Sequence, residues 1–206
     1  MLEVKHLTSI RNDRIIFKSL SFKIKFGELV QIEGYNGAGK TTLLRIIAGF
    51  GSCDDGEVYW NNENIAINRD IFHQHLLFLG HQTGLKRELT AFENLNFYQC
   101  IHAPDLNNRN IIYRALAKVG LVGSEDVPVA QLSAGQQHRV ALARLWLSKK
   151  KLWILDEPMT AIDSQGTKIL KKLFLTHVKE GGILMLTTHQ DMFINNSKLR
   201  KIRLGT

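Results

Sequence analysis

An α/β fold built on parallel strands is predicted by three features of the chain. The octapeptide Gly34-Tyr35-Asn36-Gly37-Ala38-Gly39-Lys40-Thr41 lies between an apolar run at 28–33 and an amphipathic run at 42–48, which is the strand, loop and helix setting of a P-loop. A second apolar run, 152–155, ends in Asp156-Glu157-Pro158. A third, 183–188, opens after Gly181-Gly182 and ends in His189. Ligands of open α/β sheets gather at the carboxyl ends of parallel strands, so residues far apart in sequence can converge there.

The elements follow in order. Residues 2–7 and 20–24 read as strands, the latter by apolar-polar alternation, with a turn at Phe26-Gly27. After the P-loop helix, Gly49-Phe50-Gly51 ends the element, and Asp54-Asp55-Gly56 turns the chain into a strand at 57–60. These strands form a small antiparallel layer beside the nucleotide core. Residues 76–80 make a short buried strand leading to Gln82. Thr90-Ala91-Phe92-Glu93 fits a capping box, and the chain is then mostly helical to about Gly120, with a polar loop around Ala103-Pro104-Asp105. A second helix starts near Ser133 and runs through Leu147. Pro158 stops Asp156-Glu157 from continuing directly into a helix, and 198–204 alternates as a terminal strand would.

At 206 residues, one well-buried core is expected. An apolar content of 44% with 22% charged residues excludes disordered and fibrous classes. The first six residues carry charge where a signal peptide needs apolar residues, and no apolar run approaches the roughly 20 residues of a spanning helix. The expected location is therefore the cytoplasm. Cys53 and Cys100 have no metal-ligand spacing, which fits a reducing compartment. A net charge of +8 is compatible with nucleic acid, an acidic membrane surface or nucleotide phosphates. The two basic clusters, Lys149-Lys150-Lys151 and 198–204, read as solvated loop and sheet face.

Hydrolysis of a phosphoanhydride needs in-line positioning, charge neutralisation and a group that orients water. Glycines let the loop from Gly34 to Thr42 wrap phosphate oxygens with backbone N–H groups, with Lys40 reaching the β- and γ-phosphates and Thr41 the magnesium ion. Asp156 is placed to hold magnesium. Glu157, at the same strand end, is the candidate general base. His189 is suited to the γ-phosphate and to aligning Glu157 with water, and Gln82 to a place near magnesium and water.

This constellation resembles the ATP-binding cassette (ABC) family over essentially the whole chain. Leu132-Ser133-Ala134-Gly135-Gln136-Gln137 is similar to its signature motif, Thr160-Ala161-Ile162-Asp163 to its D-loop, and Gln82 and His189 fall at its Q-loop and switch histidine. The resemblance implies one nucleotide-binding domain over 1–206, with a RecA-like core and a helical subdomain at about 84–145. It implies ATP and Mg2+ as ligands, and a head-to-tail homodimer in which Ser133, Gly135 and Gln136 contact nucleotide bound to the other copy's P-loop. The family's base-stacking aromatic aligns with Arg11 here, leaving Arg11 or Phe17 to meet the base. Soluble cassettes acting on DNA or ribosomes usually carry coiled coils, cysteine pairs or two cassettes, which this chain lacks, so no nucleic-acid partner is expected. Residues 27–34, 80–86, 131–137 and 143–147 resemble the cytochrome c maturation branch of the family. That branch implies integral membrane subunits on the cytoplasmic face of a bacterial inner membrane, membrane contact through those partners, and hydrolysis that powers haem export or release of a haem-loaded chaperone.

Overall fold

The computed structural model describes residues 1–102, 108–188, 193 and 199–205. In chain order the elements are β1 (Leu2–Arg11), β2 (Arg14–Ile24), β3 (Leu29–Glu33), α1 (Lys40–Ile47), β4 (Asp55–Trp60), β5 (Glu63–Asn64), α2 (Arg69–His75), β6 (Leu76–Leu79), α3 (Ala91–His102), α4 (Arg109–Lys118), α5 (Ala134–Leu147), β7 (Leu152–Leu155), α6 (Ser164–Lys179), β8 (Ile183–Thr187) and β9 (Leu199–Arg203). They divide into two compact units: Met1–Gly80 with Lys150–Glu157 and Phe174–Thr206, and His81–Lys149 with Pro158–Leu173.

The first unit contains two sheets. One is antiparallel, in the order β2-β1-β4-β5. Strict alternation would put Val4 and Leu7 on opposite faces, yet both are buried. The cause is a register shift between them, with His6 at φ 49° in the left-handed region, so the extra residue returns Leu7 to the core. β2 also starts earlier than the alternation at 20–24 indicates. Asn12 and Asp13, at φ 49° and 58°, make a two-residue hairpin turn of the kind these residues favour, and Ile15 pairs with Ile10.

The other sheet has the order β6-β7-β8-β3-β9, with every pairing parallel. Every residue of β7 and β8 is buried, as expected when both faces of a parallel sheet are covered, and this explains their unbroken apolar sequences. α1 buries Leu43, Leu44, Ile46 and Ile47 in the same core as Val30, Ile154 and Met185. Each such side chain contributes about 1.5–3 kcal/mol when removed from water. β9 is an outer strand that pairs with β3 from Leu29↔Leu199 to Glu33↔Arg203. Beyond it the Leu204 amide donates to the Glu33 carbonyl at 2.8 Å. A Cβ on Gly34 would lie 2.9 Å from the Leu204 carbonyl oxygen, so the first P-loop residue packs against the chain that follows β9. The basic residues of β9 are only partly a solvated face: Lys201 and Arg203 pair with Glu33, and the Lys201 bond holds that carboxyl below its usual range.

Lys150 departs from the solvated-loop expectation. Its ammonium donates to the carbonyls of Gln74 at 2.8 Å and His73 at 3.4 Å, tying the approach to β7 to the end of α2, and burial lowers its pKa. Trp153 of β7 stacks on the His177 ring at 3.8 Å between centroids and 7° between planes. Gly182 is required beside that ring, since a Cβ there would lie 2.2 Å from it.

The second unit is helical. α3, α4 and α5 pack on one another and bury Leu95, Ile112, Leu116 and Val140. The predicted capping box is formed: the Thr90 amide donates to Glu93 Oε2 at 2.8 Å, and the Glu93 amide to Thr90 Oγ1 at 3.1 Å. The loop at Ala103-Pro104-Asp105 lies outside the described residues. Asn94 is buried at 3% exposure and organises the chain ahead of α3. Its Oδ1 accepts from the Lys86 amide at 2.8 Å, while Nδ2 donates to the carbonyls of Lys86, Leu89 and Thr90 at 2.9, 3.2 and 3.0 Å.

The His177 stack makes stability acid-sensitive. Burial lowers the pKa of His177 from 6.5 to about 4. Between these values the unfolded chain takes up a proton that the folded chain refuses, so the contribution is complete above pH 6.5 and is lost as pH falls toward 4. Denaturant unfolding of His177→Gln against wild type at pH 7, 6, 5 and 4.5 is expected to show the difference shrinking with acidity. The slope is at most about 1.4 kcal/mol per pH unit, and smaller because the ring is only part-buried.

Candidate functional site

The site in the first unit is built at the carboxyl ends of β3, β7 and β8, which are aligned by their parallel pairing. β3 delivers the chain into the loop from Gly34 to Thr42. Gly37 and Gly39 stand at φ 89° and 91°, where a side chain is strained, and a Cβ on Gly39 would come 2.1 Å from Ile16 Cγ2. Tyr35 and Asn36 are exposed, whereas Ala38 is buried under the loop. α1 starts at Lys40 with Gly39 as its N-cap, no side chain caps it, and no acidic residue stands in its first turn. Its leading N–H groups therefore form a site suited to an anion. The Lys40 ammonium lies across the loop, donating to the carbonyls of Gly34 at 2.7 Å and Tyr35 at 3.1 Å.

Asp156 follows β7 and is 5% exposed. Both of its oxygens are met by hydroxyls: Thr41 Oγ1 donates to Oδ2 at 2.7 Å, and Thr187 Oγ1 donates to Oδ1 at 2.7 Å. Thr187 Oγ1 in turn accepts from the Glu157 amide at 2.9 Å, and the Asp156 amide donates to the Leu79 carbonyl at 2.8 Å. Four strands and helices thus fix one carboxylate. A buried carboxylate met by hydroxyls, with Thr41 beside it, offers the hard oxygen donors that Mg2+ selects, so these residues fit that ion. Glu157 is half-buried and stands at φ 51°, an uncommon conformation that costs about 1 kcal/mol outside glycine. Its amide bond to Thr187 helps to hold it there.

Thr187 was not among the residues singled out from sequence. The available signal was a hydroxyl at the carboxyl end of an otherwise apolar strand. Phe17 requires a correction: it is 7% exposed and packed in the core beside Gly39, so its ring is not presented to a nucleotide base. Arg11 is exposed, and its Nη2 donates to the Ser52 carbonyl at 3.3 Å. His189 lies outside the described residues.

Gln82, Ser133, Gly135 and Gln136 belong to the second unit. Gln82 is exposed just after the unit begins. Ser133 is exposed and N-caps α5 through a complete capping box: Oγ accepts from the Gln136 amide at 3.2 Å, and the Ser133 amide donates to Gln136 Oε1 at 2.9 Å. The Ser133 hydroxyl accepts within the cap, which leaves its own O–H available as a donor. The Gln136 side-chain carbonyl serves the helix itself. His138, two residues further on, lies 3.2 Å from the Pro158 carbonyl through Nε2 and is held neutral more readily than usual by burial.

Comparison with known proteins agrees with this geometry. A family model described as ABC transporter matches residues 17–160. The chain is 68% identical over 205 residues to the cytochrome c biogenesis ATP-binding export protein CcmA of Vibrio cholerae, covering 100% of this chain and 99% of that protein. It is 59% identical to the protein of the same name from Yersinia pestis, covering 93% of it. Among solved structures, a dimeric ATP-binding cassette in a post-hydrolysis state, bound to ADP and Pi, superposes with a TM-score of 0.82 at 27% identity, covering 100% of this chain and 97% of that one. The chain belongs to the ABC transporter family, as one of its ATP-hydrolysing cassettes working with ATP and Mg2+.

Proposed function

We propose that this chain is the ATP-hydrolysing subunit of a membrane complex for c-type cytochrome maturation, powering haem export or the release of a haem-loaded chaperone. The observation that carries the reading is the Asp156 carboxylate held between Thr41 and Thr187 at the P-loop. Full-length likeness to cytochrome c biogenesis ATP-binding export proteins directs that chemistry to cytochrome maturation.

Backbone N–H groups of residues 34–42 and the Lys40 ammonium hold the ATP phosphates, and Thr41, Asp156 and Gln82 hold the metal. Bound Mg2+ supplies neutralisation of the charge on the phosphate oxygens. Glu157 takes a proton from the attacking water as its oxygen bonds to the γ-phosphorus, the bond to the ADP oxygen breaks, and phosphate leaves. His189 aligns the γ-phosphate with that water. The chain acts as a single cassette over 1–206, with residues 84–145 as its helical subdomain. Two copies pair head to tail, and Ser133, Gly135 and Gln136 of one complete the phosphate site of the other. The dimeric form of the similar solved cassettes supports this pairing. Among the described residues no helix is long and apolar enough to cross a membrane. We assign the membrane spans to partner subunits, with this chain held peripherally on the cytoplasmic face of a bacterial inner membrane and with no nucleic acid bound.

Glu157→Gln is expected to bind ATP normally while its turnover falls by about 10²–10⁴-fold, leaving a closed ATP-bound dimer on size-exclusion chromatography. Near-normal turnover would remove Glu157 from the role of base. In cells, a Lys40→Ala strain is expected to lose holo-cytochromes c and to keep b-type haem proteins, read by haem staining and difference spectra. Unchanged c-type cytochromes would refute the pathway.

A further inference from the structure

Arg144 sits on α5, 11 residues after Ser133, and it is a part-buried guanidinium without a carboxylate partner among the described residues. Its Nη1 donates to the Thr83 carbonyl at 3.0 Å and its Nη2 to the Gly84 carbonyl at 3.0 Å. The Tyr98 ring lies 5.6 Å from its Cζ, and its buried Nε has no hydrogen-bond partner among the described residues. Burial pushes its pKa below the usual arginine value. A cation removed from water without a counter-charge is costly, and an aliphatic side chain could fill the same helical position. What the guanidinium alone supplies is a flat fork whose two donors reach successive carbonyls.

Those carbonyls are the two that immediately follow Gln82. Two residues further on, Asn94 takes over, holding Lys86 through both its amide and its carbonyl and then Leu89 and Thr90. Gly84, at φ 61°, makes the bend between the two grips. The segment after Gln82 is therefore clamped to α5 at its start and to α3 at its end. α5 is uninterrupted from its Ser133 cap to Arg144, a span of about 16 Å at 1.5 Å per residue.

We propose that Arg144 is a positioning residue for Gln82, and that α5 thereby makes the place of the Gln82 loop follow the place of Ser133. The inference deepens the proposed function and rests on the roles given there to Gln82 and Ser133. Arg144 touches no reacting atom. It fixes two carbonyls, so that a displacement of the signature end of α5 is carried as a rigid rod to the backbone that presents Gln82.

The test uses the full chain in its membrane complex, with wild type, Arg144→Lys, Arg144→Gln, Gln82→Ala and the double variants. Melting temperature selects whichever Arg144 substitution folds as wild type does. That variant is expected to lower kcat on the order of tenfold while KM for ATP stays within about twofold, and to leave a Gln82→Ala protein no slower than Gln82→Ala alone. Hydrogen exchange is expected to quicken at amides 82–88 and to remain unchanged along 136–143. Losses that multiply in the double variant, or unchanged exchange at 82–88, would overturn the proposal. A Gln82→Ala protein with wild-type turnover would instead overturn the role of Gln82 in the proposed function, and the exchange measurement then still decides whether Arg144 sets the loop.

Discussion

The run of hydrogen bonds from Thr41 through Asp156 to Thr187 and the Glu157 amide is the constraint on which the nucleotide site depends. The groups come from three elements, with Asp156 and Glu157 both following β7, so the bonds form only when α1, β7 and β8 are in register. The surrounding apolar strands supply that register and also exclude water from Asp156. Exclusion strengthens every bond in the chain, and it makes any unpaired member expensive, by about 1–3 kcal/mol for a buried polar group left alone. Core packing and chemistry are thus the same requirement seen from two sides. A strand displaced by one residue would either turn Thr187 away and leave Asp156 Oδ1 without its donor, or turn Asp156 away and leave the Thr187 hydroxyl without its acceptor.

The helical unit solves a different problem with similar means. No residue of 81–90 is buried, so side chains inside helices anchor that segment. Asn94 gathers four backbone bonds onto one amide side chain, and the Ser133-Gln136 box closes the start of α5. Backbone bonds add to these grips: the Val129 amide donates to the Leu89 carbonyl at 2.9 Å and the Ala91 amide to the Val127 carbonyl at 3.2 Å.

Much of this was legible in the sequence because it is local. The spacing of the P-loop glycines and the apolar run before Asp156 are read within a few positions, and the Thr90-Glu93 box closes over three. The N-cap at Ser133 belongs to the same class. What escaped was set by partners far away. Thr187 meets Asp156 across 31 positions, Arg144 reaches Thr83 across 61, and Lys150 reaches Gln74 across 76. Nothing near any of the three announces that acceptor. The early start of β2 and the bulge at His6 were hidden for another reason: the extra residue breaks the two-residue period by which a strand is recognised. α6 was not anticipated either, since Pro158 marks where a helix cannot start but not where the next one does.

The packing of the chain after β9 against Gly34 has a consequence for biosynthesis. β3 leads into the P-loop, yet its outer neighbour is made of residues 199–203, which leave the ribosome long after it. The carbonyl of Leu204 closes against the loop's first glycine. Until those residues emerge, β3 exposes an unpaired edge and the loop lacks one wall. The loop and the strand that feeds it are thus made early and finished late, by a strand that pairs with them only after most of the intervening sequence has been synthesised.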